Sequence, residues 1–297
     1  MIEVKGVTKY FDNVKALDSL NINVKDGSIY GLVGTNGAGK TTIIKNLMGI
    51  YDIDSGEILI SGEHVYENPD VKRKLGYVSD DMFFFHGYTL EDMRKFYKGI
   101  YHDWNDEKFN YLVRDFSLDI KRKISTFSKG MQKQAAIILA LSIMPEYLIL
   151  DEPIDGLDPI MRRKAWKHII DDVASRNISV LISSHNLREM EGYCDYIGII
   201  SKGKMILERD LEDLKTDVHK VQVAFQGTSG REFPEINILH RESRGSVDLM
   251  IIRGKKEVIE DVIGRENPIV FDILPLSLEE IFVYELGGEN NEIKEIT

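Results

Sequence analysis

Apolar side chains recur along this chain with two different periods, and the switches between them divide it. Residues 2–8 and 20–25 alternate apolar with polar positions, as strands do when one face is buried and the other is wet. Short, mostly apolar runs at 29–33, 147–150 and 178–182 read instead as buried strands. Residues 57–60 and 75–78 read as further strands, the first followed by a turn at Gly62. From Thr89 a helical period takes over and runs, with breaks near Asp103 and Leu118, to about Met144. Thr89-Leu90-Glu91-Asp92 has the form of a capping box with Asp in the usual Glu or Gln position. Ser128 is placed to cap the last helix of this block, which Pro145 ends.

Helices at 41–48, stopped by Gly49, and at 160–174 complete the picture, with strands near 196–201 and 204–208 around a Lys202-Gly203 turn. The pattern predicts an α/β fold in which a mixed sheet carries an antiparallel β subdomain and an inserted helical subdomain. Its expected limits are residues 1–215, with the helical part at about 86–145. Strands at 220–225, 236–240, 247–252 and 269–273 and helices at 255–263 and 276–286 then predict a small α+β domain over 216–286. The polar tail at 287–297 is expected to be disordered. No internal repeat or sustained heptad interrupts this reading.

Composition narrows the partners. A formal net charge of −11 argues against a broad nucleic-acid footprint. Cys194 is the only cysteine, which excludes an intrachain disulfide and a cysteine metal site. The longest strongly apolar run, Ala135 to Met144, is too short to span a bilayer, and Met1 to Lys5 lacks the apolar core of a signal peptide. A cytoplasmic setting is expected, with any role at a membrane coming through a partner.

The chemistry gathers around Gly34-Thr35-Asn36-Gly37-Ala38-Gly39-Lys40-Thr41-Thr42, which fits the phosphate-binding loop pattern at every required position. Glycines let consecutive backbone N–H groups turn around phosphate oxygens, and the helix that follows aims its positive end at the same anion. Lys40 would reach the β- and γ-phosphates, and the Thr41 hydroxyl would ligate Mg²⁺. Downstream, the strand at 147–150 delivers Asp151 and Glu152, suited to holding Mg²⁺ and to activating water as general base. The strand at 75–78 leads to Asp80 and Asp81, and the strand at 178–182 leads to Ser183, Ser184 and His185, whose imidazole could donate to a γ-phosphate. Other features carry less by spacing alone. Tyr10 and Phe11 read as edge packing, and Ser128-Lys129-Gly130 as an ordinary capped helix start. Met82 to Phe85 reads as core unless exposed, in which case it marks a docking surface.

Together these motifs resemble the ATP-binding subunit of an ABC transporter over residues 1 to about 215. The loop matches the Walker A motif, Tyr147 to Glu152 match Walker B with its catalytic glutamate, Gly156-Leu157-Asp158 the D-loop and His185 the switch histidine. Phe127 to Gln132 occupy the signature position. The resemblance implies a P-loop NTPase core that binds ATP and Mg²⁺, with Glu152, His185 and Lys40 catalytic and Thr41, Asp80 and Asp151 at the metal. It also implies that Phe11 stacks on adenine, and that Ser128 and Gly130 reach the nucleotide of a second, head-to-tail ATP-binding subunit, identical or not. An integral membrane permease would be the partner, and the location peripheral on the inner membrane face.

Two departures refine this. Phe127-Ser128-Lys129-Gly130-Met131 replaces the common Leu-Ser-Gly-Gly-Gln and resembles ABC-2-type exporters, including bacterial antibiotic-efflux subunits. Asp80 stands where the family has the Q-loop glutamine, keeping an oxygen but adding charge near phosphate. The first expectation is therefore an ATPase that powers an exporter through ATP-dependent closure. The alternative is a nucleotide-dependent regulatory or sensor module with weak hydrolysis. The soluble relatives acting on DNA or ribosomes usually bring coiled coils, tandem ATPase domains or zinc cysteines, none of which this sequence has.

Overall fold

The computed structural model describes residues 1–226 and 231–285; the polar tail expected from Gly287 lies outside the described residues. The chain divides into two compact units, Met1–His185 with Tyr193–Glu208, and Asn186–Gly192 with the chain from Arg209.

The first unit begins with β1 (Ile2–Phe11), β2 (Val14–Val24), β3 (Ile29–Val33), α1 (Lys40–Leu47), β4 (Ser55–Ile60), β5 (Glu63–His64), α2 (Pro69–Arg73) and β6 (Leu75–Val78). A helical block follows: α3 (Leu90–Ile100), α4 (Asp106–Phe116) and α5 (Lys129–Ser142). The chain then returns through β7 (Tyr147–Asp151), α6 (Pro159–Arg176), β8 (Ser179–Ser184), β9 (Tyr196–Ser201) and β10 (Lys204–Asp210).

The alternating segments pair as read. An antiparallel sheet of order β2-β1-β4-β5 sets Ile2 opposite Val24 and Val4 opposite Ile22. This register turns Ile2, Val4, Leu20, Ile22 and Val24 into the core, each worth about 1.5–3 kcal/mol of burial. Gly56 permits the pairing of β1 with β4, because a Cβ there would lie 2.5 Å from the Gly6 carbonyl oxygen.

The second sheet has the order β10-β9-β3-β8-β7-β6, with β6, β7, β8, β3 and β9 parallel. Every residue of β3, β7 and β8 is buried, which is why these strands read as mostly apolar runs and not as alternating ones. Parallel pairing has a functional consequence. Val33 lies beside Ser184, and Asp151 beside Ser183, so β3, β7 and β8 end together at one edge.

The helical breaks fall where expected. Thr89 and Asp92 form the reciprocal capping box of α3, Asn105 caps α4, and Ser128 caps α5. The short α2 was not expected, although Asn68 followed by Pro69 carried its start signal: Asn68 accepts from two backbone N–H groups. Five residues are too few to show a period.

The second unit contains α7 (Leu211–Asp217), β11 (Val218–Ala224), β12 (Asn237–Arg244), β13 (Val247–Arg253), α8 (Lys256–Gly264), β14 (Val270–Leu274) and α9 (Leu278–Glu285). Its antiparallel sheet, of order β12-β13-β11-β14, buries Val221, Val223, Met250 and Ile252 beside Ile259 and Ile263 of α8. Within this unit α9 packs against the short turn Leu187–Glu189, and Arg188 pairs with Glu279 at 2.7 Å.

Candidate functional site

The loop joining β3 to α1 is built for close backbone approach. A Cβ on Gly34 would meet the Ile200 carbonyl oxygen at 2.4 Å, and one on Gly39, at φ +112°, the Ala16 oxygen at 3.0 Å. Gly37 also takes a positive φ of +81°. Lys40 is buried at the head of α1, and its Nζ donates to the carbonyls of Gly34 (2.5 Å) and Thr35 (3.2 Å). The same ammonium lies 3.2 Å from Glu152 Oε1.

Asp151 is fully buried, and its Oδ1 accepts a 2.6 Å bond from the Ser183 hydroxyl. Burial raises its pKa above the usual carboxylate value, opposed by the Ser183 and Thr41 hydroxyls and reinforced by the negative charges of Glu152 and Asp80. Its Oδ2 has no hydrogen-bond partner of normal geometry. A buried, half-satisfied carboxylate beside the Thr41 hydroxyl fits a hard cation. Among the described residues no three His, Cys, Asp or Glu side chains form a metal cage. Such an ion would therefore share these two oxygen donors with ligand oxygens and water, as Mg²⁺ does at phosphate sites.

Glu152 is held by hydrogen bonds at its backbone and at Oε2, and at Oε1 by the charge of Lys40 alone. Its N–H donates to Ser183 Oγ at 3.0 Å, and its carbonyl accepts from Lys133 Nζ at 2.5 Å. Oε2 meets His185 Nδ1 at 3.0 Å and the His185 N–H at 3.3 Å, while Oε1 faces Lys40. Its backbone sits at φ +47°, a strained value for a side-chain-bearing residue.

A cavity at the loop is lined by Thr35, Asn36, Gly37, Gly39, Lys40, Thr41 and Thr42, together with Asp80 and Glu152 and with Val14, Lys15, Ala16 and Lys202. Ala38 is buried beneath it. The fold thus brings together Lys40, Thr41, Asp80, Asp151, Glu152 and His185. Three expected residues lie elsewhere. Phe11 is 40 % exposed, packs edge-on against Tyr51 at 5.2 Å and does not line this cavity. The Ser128 hydroxyl is engaged by the Met131 N–H, and Gly130 packs on the turn after β7, where a Cβ would lie 2.9 Å from the Gly156 oxygen.

Sequence reasoning missed Ser183 and Lys133. Ser183 was visible as a polar residue closing an apolar strand. Lys133 shares a helical face with Ile137 and Leu141, so it stood out as a charge in a buried stripe.

Known proteins resemble this chain in sequence and in fold. The profile of the family described as ABC transporter matches residues 17–155. The ABC transporter ATP-binding protein YtrB of Bacillus subtilis (strain 168) is 30 % identical over 289 residues, covering 97 % of this chain and 99 % of that one. The bacitracin transport ATP-binding protein BcrA of Bacillus licheniformis is 37 % identical over 218 residues, 72 % of this chain and 71 % of that one. A solved ATP-binding subunit of an ABC transporter superposes with TM-score 0.67 at 27 % identity, covering 72 % of this chain and 92 % of that one. In fold alone the chain also resembles an ATP-binding cassette solved as a dimer with ADP and Pi, at TM-score 0.63 and 20 % identity over 71 % of this chain and 99 % of that one.

Proposed function

The chain belongs to the ABC transporter family as one of its ATP-binding subunits, and from that premise we propose that it hydrolyses ATP to power a membrane exporter. The single observation that carries this is Glu152, fixed by Lys40, His185 and Ser183 above a glycine cradle with Asp151 and Thr41 beside it. Mg-ATP supplies the phosphoanhydride bond to be broken. Lys40, with the loop N–H groups from Gly34 to Thr42, binds the phosphates. Thr41 and Asp151 would hold a magnesium ion, whose charge would stabilise the phosphate oxygens, and Asp80 lines the same cavity. Glu152 takes a proton from the attacking water, and His185 orients Glu152 and donates toward the terminal phosphate. Phe11 offers its exposed ring to adenine.

Ser128 and Gly130 do not line this chain's own loop cavity, which supports a second ATP-binding subunit, identical or not, that presents these residues across a head-to-tail interface. The permease would dock on an aromatic patch. Phe83 is 80 % exposed and, with Phe85, Tyr88 and Phe96, forms interlocked rings 4.9–5.8 Å apart. Export, rather than import, draws on the resemblance of the Phe127-Ser128-Lys129-Gly130-Met131 signature to ABC-2-type exporters. A cytoplasmic position on the inner membrane face accords with the described residues, in which no helix is long and apolar enough to cross a membrane.

Glu152→Gln tests the reading. The variant should bind Mg-ATP and dimerise while turnover falls by about 10²–10⁴-fold; turnover at the parental rate removes Glu152 as the base. Asp80 favours a second reading, a regulatory switch with weak hydrolysis. Turnover that rises strongly when the permease is added excludes it.

A further inference from the structure

Lys133 occupies an unusual position for a lysine. It lies in the second turn of α5, only 5 % exposed, and lysine is rarely buried unless paired. Its Nζ donates to the Glu152 carbonyl at 2.5 Å and lies 3.3 Å from Asp80 Oδ1. Both partners belong to the candidate site, and they come from the ends of two different strands.

The Glu152 contact bears on a specific weakness. At φ +47° Glu152 occupies a region that L-residues with side chains rarely adopt, and Pro153 follows, narrowing its choices further. Such a conformation persists only where the surroundings over-determine it. On one side the Ser183 hydroxyl accepts the Glu152 N–H; on the other, Lys133 grips the carbonyl. The two bonds fix the peptide planes on either side of the Cα, and so fix the direction in which the carboxylate leaves the backbone. A charged donor makes the stronger of these bonds. The Asp80 contact does a second thing. It sets a positive charge among Asp80, Asp151 and Glu152, in addition to that of Lys40.

We propose that Lys133 is a positioning residue for the hydrolytic reaction: its ammonium clamps the strained Glu152 peptide so that the carboxylate points between Lys40 and His185, and it partners the aspartate at position 80. The proposal rests on Glu152 acting as the base. It also gives a reason for tolerating a carboxylate at position 80, since the lysine that balances it is already required by Glu152.

The test uses the full chain with Lys133→Met, Lys133→Arg and Asp80→Asn. Hydrogen–deuterium exchange of the nucleotide-free protein reads the clamp directly. In Lys133→Met, exchange over residues 150–156 should rise about fivefold or more, while residues 33–48 around the phosphate loop stay within about twofold of the parent. Steady-state turnover of Mg-ATP should lose about tenfold or more in kcat with KM changed less than about threefold, as expected when a base is misaimed and binding is intact. A fluorescent ATP analogue should bind the variant as it binds the parent. Lys133→Arg should recover most of the kcat. Asp80→Asn, which keeps the carbonyl contact, should leave exchange over 150–156 unchanged and lower kcat less than Lys133→Met does. Unchanged exchange over 150–156 in Lys133→Met, or parental kcat, overturns the proposal. So does a loss of analogue binding with faster exchange at both sites, which assigns the lysine to core packing. If Lys133→Met does not fold, Lys133→Gln takes its place: faster exchange over 150–156 than in Lys133→Arg supports the clamp, and equal exchange overturns it. A parent without Mg-ATP turnover counts against the proposed function, and the exchange result still decides whether the clamp exists.

Discussion

Two aspartates, one in each unit, are buried almost to the same degree and treated in opposite ways. Asp248, 1 % exposed in the C-terminal sheet, is met by the Arg241 guanidinium on one oxygen and by the Ser243 hydroxyl at 2.5 Å on the other. Asp151, fully buried at the end of β7, has one oxygen bonded to Ser183 and the other left bare. A carboxylate satisfied on both sides is a structural joint. One left short of partners, beside a strained glutamate and a glycine cradle, costs the apo fold free energy and keeps coordination capacity for a ligand. Burial alone does not distinguish the two; the count of partners does.

This contrast can be broken in four steps. Asp151→Asn should give the largest effect, a loss of about 10²-fold or more in Mg-ATP turnover with the melting temperature unchanged or raised. Because burial raises the Asp151 pKa in the folded chain, folding favours its protonated form. The parent's penalty relative to the variant is therefore full above the folded pKa and fades as pH falls toward the ordinary value of 3.8. Melting curves across that range check the sign. Asp248→Ala should do the reverse. Stranding Arg241 should cost the C-terminal unit about 3–5 kcal/mol in denaturant unfolding, with turnover per folded molecule maintained. Ser183→Ala touches both kinds of burial, removing the donor to Asp151 and the acceptor of the Glu152 N–H. We expect about 1–3 kcal/mol of lost stability and about a tenfold fall in kcat, read by melting and by kinetics on one sample. Thr89→Ala, which removes the α3 cap and no contact of either aspartate, should cost about 1 kcal/mol and leave kcat alone.

Much of the site was legible because its parts are local. The loop from Gly34 to Thr42 depends on consecutive backbone geometry, which spacing records directly. Asp151 and Glu152 were legible because an apolar strand must end somewhere, and acids at that end face the same sheet edge as the loop. What could not be read was decided across the fold. The left-handed backbone of Glu152, the Lys133 clamp that spans two strand ends, and the turn of Phe11 toward Tyr51 all depend on neighbours distant in sequence. The second unit shows the same limit. Alternation revealed β11 and β13, but their order in the sheet rests on pairings that no local period encodes.

The seven residues from Asn186 to Gly192 lie in sequence between two strands of the main sheet, yet they belong to the C-terminal unit, where Leu187 is buried and the turn packs on α9. The polypeptide therefore passes between the units three times, and the boundary is not a point at which it can be cut. A chain shortened to end at Glu208 would strip α9 from this turn and carry Leu187 into water, immediately after His185. A chimera that takes its distal region from another protein keeps this packing only when the heptapeptide is exchanged along with it.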